Sequence, residues 1–308
     1  MRVVDLSEEP VTDGDVVLAV GDTSHPNAEY WLEHATLTLT EDLCEDRRVV
    51  RVASVPDTLA LLHERVSHWP LAAAVLDDVL RAVDEAAPAF AGLITESLAY
   101  STLQSGPEFA RWLAQRGPAA PVSIADPVVF DRDGDTLRVR FNRPARHNAF
   151  STDARAGLLE ALHLACLDDS ITDMVLSGVG PSFCSGGDLA EFGTFADPAS
   201  AHVARTRHSP ALLLDQLTRR LGVSCRAEVH GQVLGSGLEM AAYCGFVTCA
   251  ADAVLGLPEL ALGLIPGAGG TVSITRRIGR WRTAFLVLSG NPIDAATALS
   301  WGLVDKVQ

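Results

Sequence analysis

Short apolar runs at 16–20 and 49–52 alternate with helical periodicity over 57–68 and 71–83, so the first 85 residues read as α/β. Two further helices are predicted at 91–103 and 107–115, broken by Ser105 and Gly106 and closed by Gly117. The stretch Gly-Pro-Ala-Ala-Pro at 117–121 marks a boundary. Beyond it, apolar segments at 127–132 and 136–141 flank Asp133-Gly134-Asp135, a strand-turn-strand pattern in which the Asp-Gly step suits a tight hairpin. A helix over 151–167 follows, with Ser151 and Asp153 able to cap its start, and then a buried strand at 173–179 that runs into a glycine turn. Strand, glycine loop and helix recur to Leu303, which predicts an α/β fold of repeated ββα units over 123–308. In front of that core the pattern places an extension at 1–85, to which no motif assigns a role, and a helical segment at 86–122.

Composition narrows the chemistry. The 308 residues are 48% apolar and carry a net charge of −15, with 20 acidic and 8 basic residues in 1–122 against 19 and 16 in 123–308. Such a surface repels nucleic acid, and a polyanionic ligand would need a local basic pocket in the second part. Lys306 is the only lysine, which argues against Schiff-base chemistry and a Walker-type phosphate loop. Cys44, Cys166, Cys184, Cys225, Cys244 and Cys249 form no CxxC pair, so buried free thiols are expected, with no zinc site and no disulfide framework. No apolar run is long enough to span a membrane, and the first residues lack a signal peptide's basic and apolar regions, so a cytoplasmic protein without a membrane partner is expected.

Three segments combine glycines with a following helix: Phe183-Cys-Ser-Gly-Gly-Asp-Leu189, the run from Val229 to Met240, and the run from Leu257 to Thr271. Glycine lets backbone approach a ligand, and a helix start presents unpaired N–H groups with positive dipole character. Two such turns facing one another can bind a developing oxyanion. Glu239 falls at the start of a helix predicted over 237–244, and Glu259 follows Pro258 at another loop mouth. Converging there, the two carboxylates would suit acid/base chemistry beside a carbonyl. The same spacing also suits a helix-start charge and a solvated loop acid. Cys184 reads as a small packing residue, and no GxSxG elbow makes Ser236 a nucleophile.

In this order, and together with Phe141-Asn-Arg-Pro-Ala-Arg-His-Asn-Ala-Phe150 and Ala298-Leu-Ser-Trp-Gly-Leu-Val-Asp305, these segments resemble the crotonase superfamily of enoyl-CoA hydratases and isomerases. The resemblance covers about residues 124–308 and implies a crotonase-like spiral. It implies an acyl-CoA thioester substrate, with coenzyme A as part of the substrate, no separate cofactor and no metal. The thioester oxygen would be held by the backbone N–H groups of Gly187 and Ser236. Glu239 and Glu259 stand at both catalytic positions, for water attack at C3 and protonation at C2. Ser185, Gly186, Asp188, Gly235 and Gly237 would contact the substrate, and Arg143, Arg146 and His147 would lie near the CoA phosphates, although solvated strand-end roles suit these three equally. His202, Arg205 and His208 read as solvent-exposed helix residues in the segment that forms a variable acyl-pocket wall in the family.

Family members continue past the segment that matches Gly302-Leu-Val304 into helices that cover the acyl pocket and build trimers, whereas this sequence ends at Gln308. The stretch from Glu96 to Trp112 resembles those helices, so a permuted arrangement is expected, with 86–118 packed in their place. A homo-oligomer, trimer or hexamer, is the family's habit. Hydration of a 2-enoyl-CoA is the leading function. An isomerase or another acyl-CoA enzyme of the superfamily stands as the alternative, as does a non-catalytic acyl-CoA-binding subunit.

Overall fold

The structure, a computed structural model, describes residues 1–11, 16–195 and 197–308. The front of the chain forms β1 (Arg2–Asp5), β2 (Val17–Val20), α1 (Ala28–His34), β3 (Leu37–Thr40), β4 (Val49–Arg51), α2 (Val55–His68) and α3 (Pro70–Ala82). The four strands pair in sequence order, all parallel. The apolar pattern located β2, β4 and both longer helices. It missed β1, α1 and β3, which are four to seven residues long and offer too few positions to establish a period. Proline at the start of α2 and α3 matches helix ends that need no backbone donor there, and Ser54 caps α2 by accepting from Asp57 N at 3.2 Å.

The predicted helical pair is α4 (Ala89–Gln104) and α5 (Pro107–Arg116). Glu108 on α5 is buried and accepts from Leu71 N (2.9 Å) and Ala72 N (3.0 Å), so it satisfies the orphan donors at the start of α3 and ties the pair to the front sheet's helices.

The second part contains β5 (Val128–Asp133), β6 (Thr136–Phe141), α6 (Thr152–Leu167), β7 (Asp173–Gly178), α7 (Pro198–Arg207), α8 (Pro210–Leu221), β8 (Cys225–Val229) and β9 (Gln232–Leu234). It continues with α9 (Ser236–Ala241), β10 (Phe246–Cys249), β11 (Val254–Gly256), α10 (Gly270–Ser289), β12 (Ile293–Asp294), α11 (Ala295–Trp301) and β13 (Lys306–Val307). Asp133 pairs with Thr136, so the Asp-Gly turn closes the hairpin as expected. A six-stranded sheet runs β13-β10-β8-β7-β6-β5, and a second sheet runs β12-β11-β9. Successive units send one strand to the large sheet (β8, β10), the next to the small sheet (β9, β11), and then a helix. This is the repeated ββα spiral of the crotonase fold.

Helix α10 is the meeting point of the two parts. It is buried along almost its whole length, breaks at Gly279, and packs against α2, α3, α4 and α9. One apolar core consequently runs from Leu18 on β2 to Val304, while a smaller cluster around Trp31 covers the other face of the front sheet. Helix α4 approaches α10 so closely that a β-carbon on Gly92 would lie 2.6 Å from Val272 Cγ2. Gly92→Ala is therefore expected to destabilise by about 1–3 kcal/mol through overpacking. Urea unfolding checks this, with a lowered midpoint and an unchanged slope as the expected result.

Candidate active site

Two glycine turns are locked against each other by backbone pairing. Cys184 N donates to Gln232 O (3.1 Å) and Leu234 N to Cys184 O (2.9 Å), while Phe150 N donates to Gly186 O (2.8 Å) and Asp188 N to Phe150 O (2.9 Å). Gly187 N–H, between these anchors, meets no backbone or side-chain acceptor among the described residues. Ser236 opens α9, where a helix N–H has no acceptor within its own helix. Gly235, which precedes it, has φ +48°, and a β-carbon there would lie 2.6 Å from Glu259 Oε1 and 3.5 Å from Gly186 Cα. Glycine is what lets both turns and a carboxylate share this space.

Three buried carboxylates meet behind the turns. Glu239, in the first turn of α9, accepts at Oε2 from Ala268 N (2.7 Å) and Gly270 N (2.8 Å). Glu259, in a short 3-10 turn after Pro258, has its Oε2 buried without a partner among the described residues. Glu96 arrives from α4 and takes the alternate donors, Gly269 N at Oε1 (2.8 Å) and Thr271 N and Oγ1 at Oε2 (3.0 and 2.7 Å). Their exposures are 2%, 8% and 2% for Glu239, Glu259 and Glu96. Burial is the main cause that pushes Glu239 up to about 7, although the Gly270 and Ala268 amides oppose it. Burial, with the Glu239 charge added, lifts Glu96 to about 8 and Glu259 well above the usual carboxylate range. All three line one mostly apolar cavity of about 530 Å³, together with Gly187, Ser236 and Tyr100.

Ser185, Gly186, Asp188 and Gly235 also line the cavity, whereas Gly237 lies beneath, packed on Cys184. Cys184 is fully buried and burial pushes its thiol up to about 12, in keeping with a packing role. Four of the six cysteines are buried, but Cys44 and Cys166 are partly exposed. The expectation for Arg143 needs correction. Its guanidinium is buried in an ion pair with Asp188 Oδ2 (2.9 Å) and donates to Ala149 O and Val122 O, so it holds the loop, is no solvated strand-end residue and does not line the cavity. The Asp188 carboxylate is likewise committed to Arg143, to Arg146 (3.3 Å) and to Ala190 N (3.2 Å). Arg146 and His147 are exposed and lie outside the cavity lining.

The reading of His202 and Arg205 as solvent-exposed is overturned because α7 packs on α4. His202 Nδ1 lies 3.0 Å from Ser97 Oγ, and Arg205 stacks 4.6 Å over the Tyr100 ring. His208 is exposed at the cavity rim. Sequence reasoning gave no role to Glu96, Tyr100 or Arg155. A signal for Glu96 was present, since it is the one acid in an otherwise uncharged helix α4.

Solved structures of similar fold include a putative enoyl-CoA hydratase from Thermobifida fusca YX in complex with CoA, 29% identical, covering 61% of this chain and 76% of that one, TM-score 0.53. A structure of a putative enoyl-CoA hydratase from the same organism in complex with acetoacetyl-CoA is 28% identical, covering 59% of this chain and 74% of that one, TM-score 0.52. Residues 132–308 match the family model described as "Enoyl-CoA hydratase/isomerase", and the chain belongs to that family. Among curated relatives, "2,3-dehydroadipyl-CoA hydratase" of Escherichia coli (strain K12) is 34% identical over 58% of this chain and 68% of its own length. "Probable enoyl-CoA hydratase 2, mitochondrial" of Arabidopsis thaliana is also 34% identical, and the chain spans only 56% of it.

A carboxyl whose pKa is raised on folding contributes stability that is fully present below its unfolded value and lost as pH rises through the folded one. Glu96 moves from 4.5 to about 8. Relative to wild type, Glu96→Gln is expected to lose most stability at the acid end. The gap should narrow by up to about 1.4 kcal/mol per pH unit towards pH 8. Denaturation midpoints of both proteins across that window check the trend.

Proposed function

We propose that this chain adds water across the double bond of a 2-enoyl-CoA thioester to give the 3-hydroxyacyl-CoA. The thioester oxygen sits between Gly187 N–H and Ser236 N–H, which stabilise the enolate as charge moves onto that oxygen. Glu239, whose ionised form the Ala268 and Gly270 amides favour, acts as the base. It takes a proton from water as the water oxygen bonds to C3, and the π electrons shift towards the thioester oxygen. Glu259, held protonated by burial and by the neighbouring charge, gives its proton to C2 as the enolate collapses. The protons balance: one leaves water for Glu239 and one leaves Glu259 for carbon, and exchange with solvent resets the pair. The coenzyme enters as part of the substrate, and these steps call on no further cofactor.

The observation that carries this reading is the pairing of a Glu239 carboxylate held at Oε2 by two amides with a Glu259 carboxyl whose Oε2 is buried without a partner among the described residues, both facing one cavity with Gly187 and Ser236. In the same reading α4 and α5 take the position of the family's C-terminal helices, since α4 supplies Phe90, Leu93 and Ile94 to the cavity wall.

Loss of absorbance at the conjugated enoyl thioester band tests it with crotonyl-CoA and a longer homologue. Wild type is expected to bleach the band, and Glu239→Gln and Glu259→Gln are each expected to slow it about a hundred- to ten-thousandfold. A reaction that survives Glu239→Gln but not Glu259→Gln would mean one-base isomerisation. No bleaching at any chain length would leave an acyl-CoA binder.

A further inference from the structure

Two arginines line the same cavity without an anionic partner in contact. Arg205 is held by neutral oxygens: Nε donates to Ser97 Oγ (3.2 Å), Nη1 to Gln104 Oε1 (3.0 Å) and Nη2 to Ser101 Oγ. Arg155 on α6 reaches in beside Phe150, its guanidinium carbon 5.9 Å from the ring centre, and makes no hydrogen bond or ion pair with any described residue. Among the described residues, the acids nearby make no ion pair with either arginine, and the Glu191 charge acts on Arg155 only through space. Glu191 spends Oε2 on Thr152 N and Oγ1 (2.8 Å each), and both oxygens of Glu96 are taken by residues 269 and 271.

A guanidinium withdrawn from water without a counter-ion is costly, and burial lowers the pKa of both arginines, with the Arg155 charge adding to the effect on Arg205. A bound anion would offset that cost. Its place follows from the chain. Arg205 is anchored on Ser97, the neighbour of Glu96, and Glu96 shares the 268–271 donors with Glu239. The guanidinium therefore feels the Glu96 charge and lies against the α4 wall of the cavity, which the same reading assigns to the acyl chain.

Resting on the reading of this site as an acyl-CoA pocket, we infer that it selects a thioester whose acyl chain ends in a carboxylate, the monothioester of an unsaturated dicarboxylic acid, paired at its far end by Arg205 and Arg155. Planar forked donors suit a carboxylate in two-point contact. An uncharged chain would leave the two arginines as they stand.

Calorimetric binding of adipyl-CoA and hexanoyl-CoA decides this. The two differ only in the terminal group and, being saturated, are not hydrated. Wild type is expected to bind adipyl-CoA at least about tenfold tighter. Arg205→Met and Arg155→Met should each shrink that ratio severalfold. Equal affinity of wild type for both ligands overturns the proposal and leaves the acyl-CoA reading standing. Variants that weaken both ligands alike also overturn it, because the arginines would then serve the CoA phosphates or the fold. Binding of neither ligand overturns it together with the reading beneath it. A wild type that prefers adipyl-CoA yet never bleaches an enoyl band sinks the hydratase assignment alone.

Discussion

Four consecutive amides, 268 to 271, enter helix α10 with no backbone acceptor, and two buried carboxylates divide them in alternation. Glu239 takes 268 and 270, and Glu96 takes 269 and 271. A buried helix start needs such partners, and its dipole favours negative charge there. The cost falls on the carboxylates, which are held close together in a buried site that raises the pKa of both. Much else depends on this ladder. It fixes the loop after Glu259, orients the Glu239 side chain, and joins α4 from the front of the chain to α9 and α10 of the ββα core.

That arrangement separates two carboxyl groups of the same chemical type into different roles. Glu239 receives two amide donors that favour its ionised form, whereas Glu259 receives none at Oε2 and faces the charge of Glu239. The environment thus favours one base and one acid, which is what addition of water across a conjugated thioester requires. Arg143 and Asp188, buried as a pair, hold the turn that presents Gly187 N–H, and Asp188 also lines the cavity.

The periodic parts of the fold were legible in the sequence. Helices α2 to α6 and the Asp-Gly hairpin carry enough positions to establish a period, and the glycine turns with Glu239 and Glu259 twenty residues apart identified the family. What escaped was set by contacts between distant segments. Glu96 meets its partners 173 and 175 residues away, and Arg205 meets Ser97 108 residues away, so neither role has a local pattern. Arg143 was misplaced for a related reason, since motif position says that an arginine is near the loop but leaves open whether it faces the ligand or Asp188.

Amide hydrogen exchange across 268–271 tests the shared ladder most directly. In wild type all four amides are expected to exchange slowly although Ala268 and Gly269 line the cavity, and Glu96→Ala should speed exchange at 269 and 271 by at least about tenfold and loosen 268 and 270 with them. Unchanged protection at 269 and 271 in that variant would contradict the account, since Glu96 would then be a bystander and the site would owe its geometry to the ββα core alone.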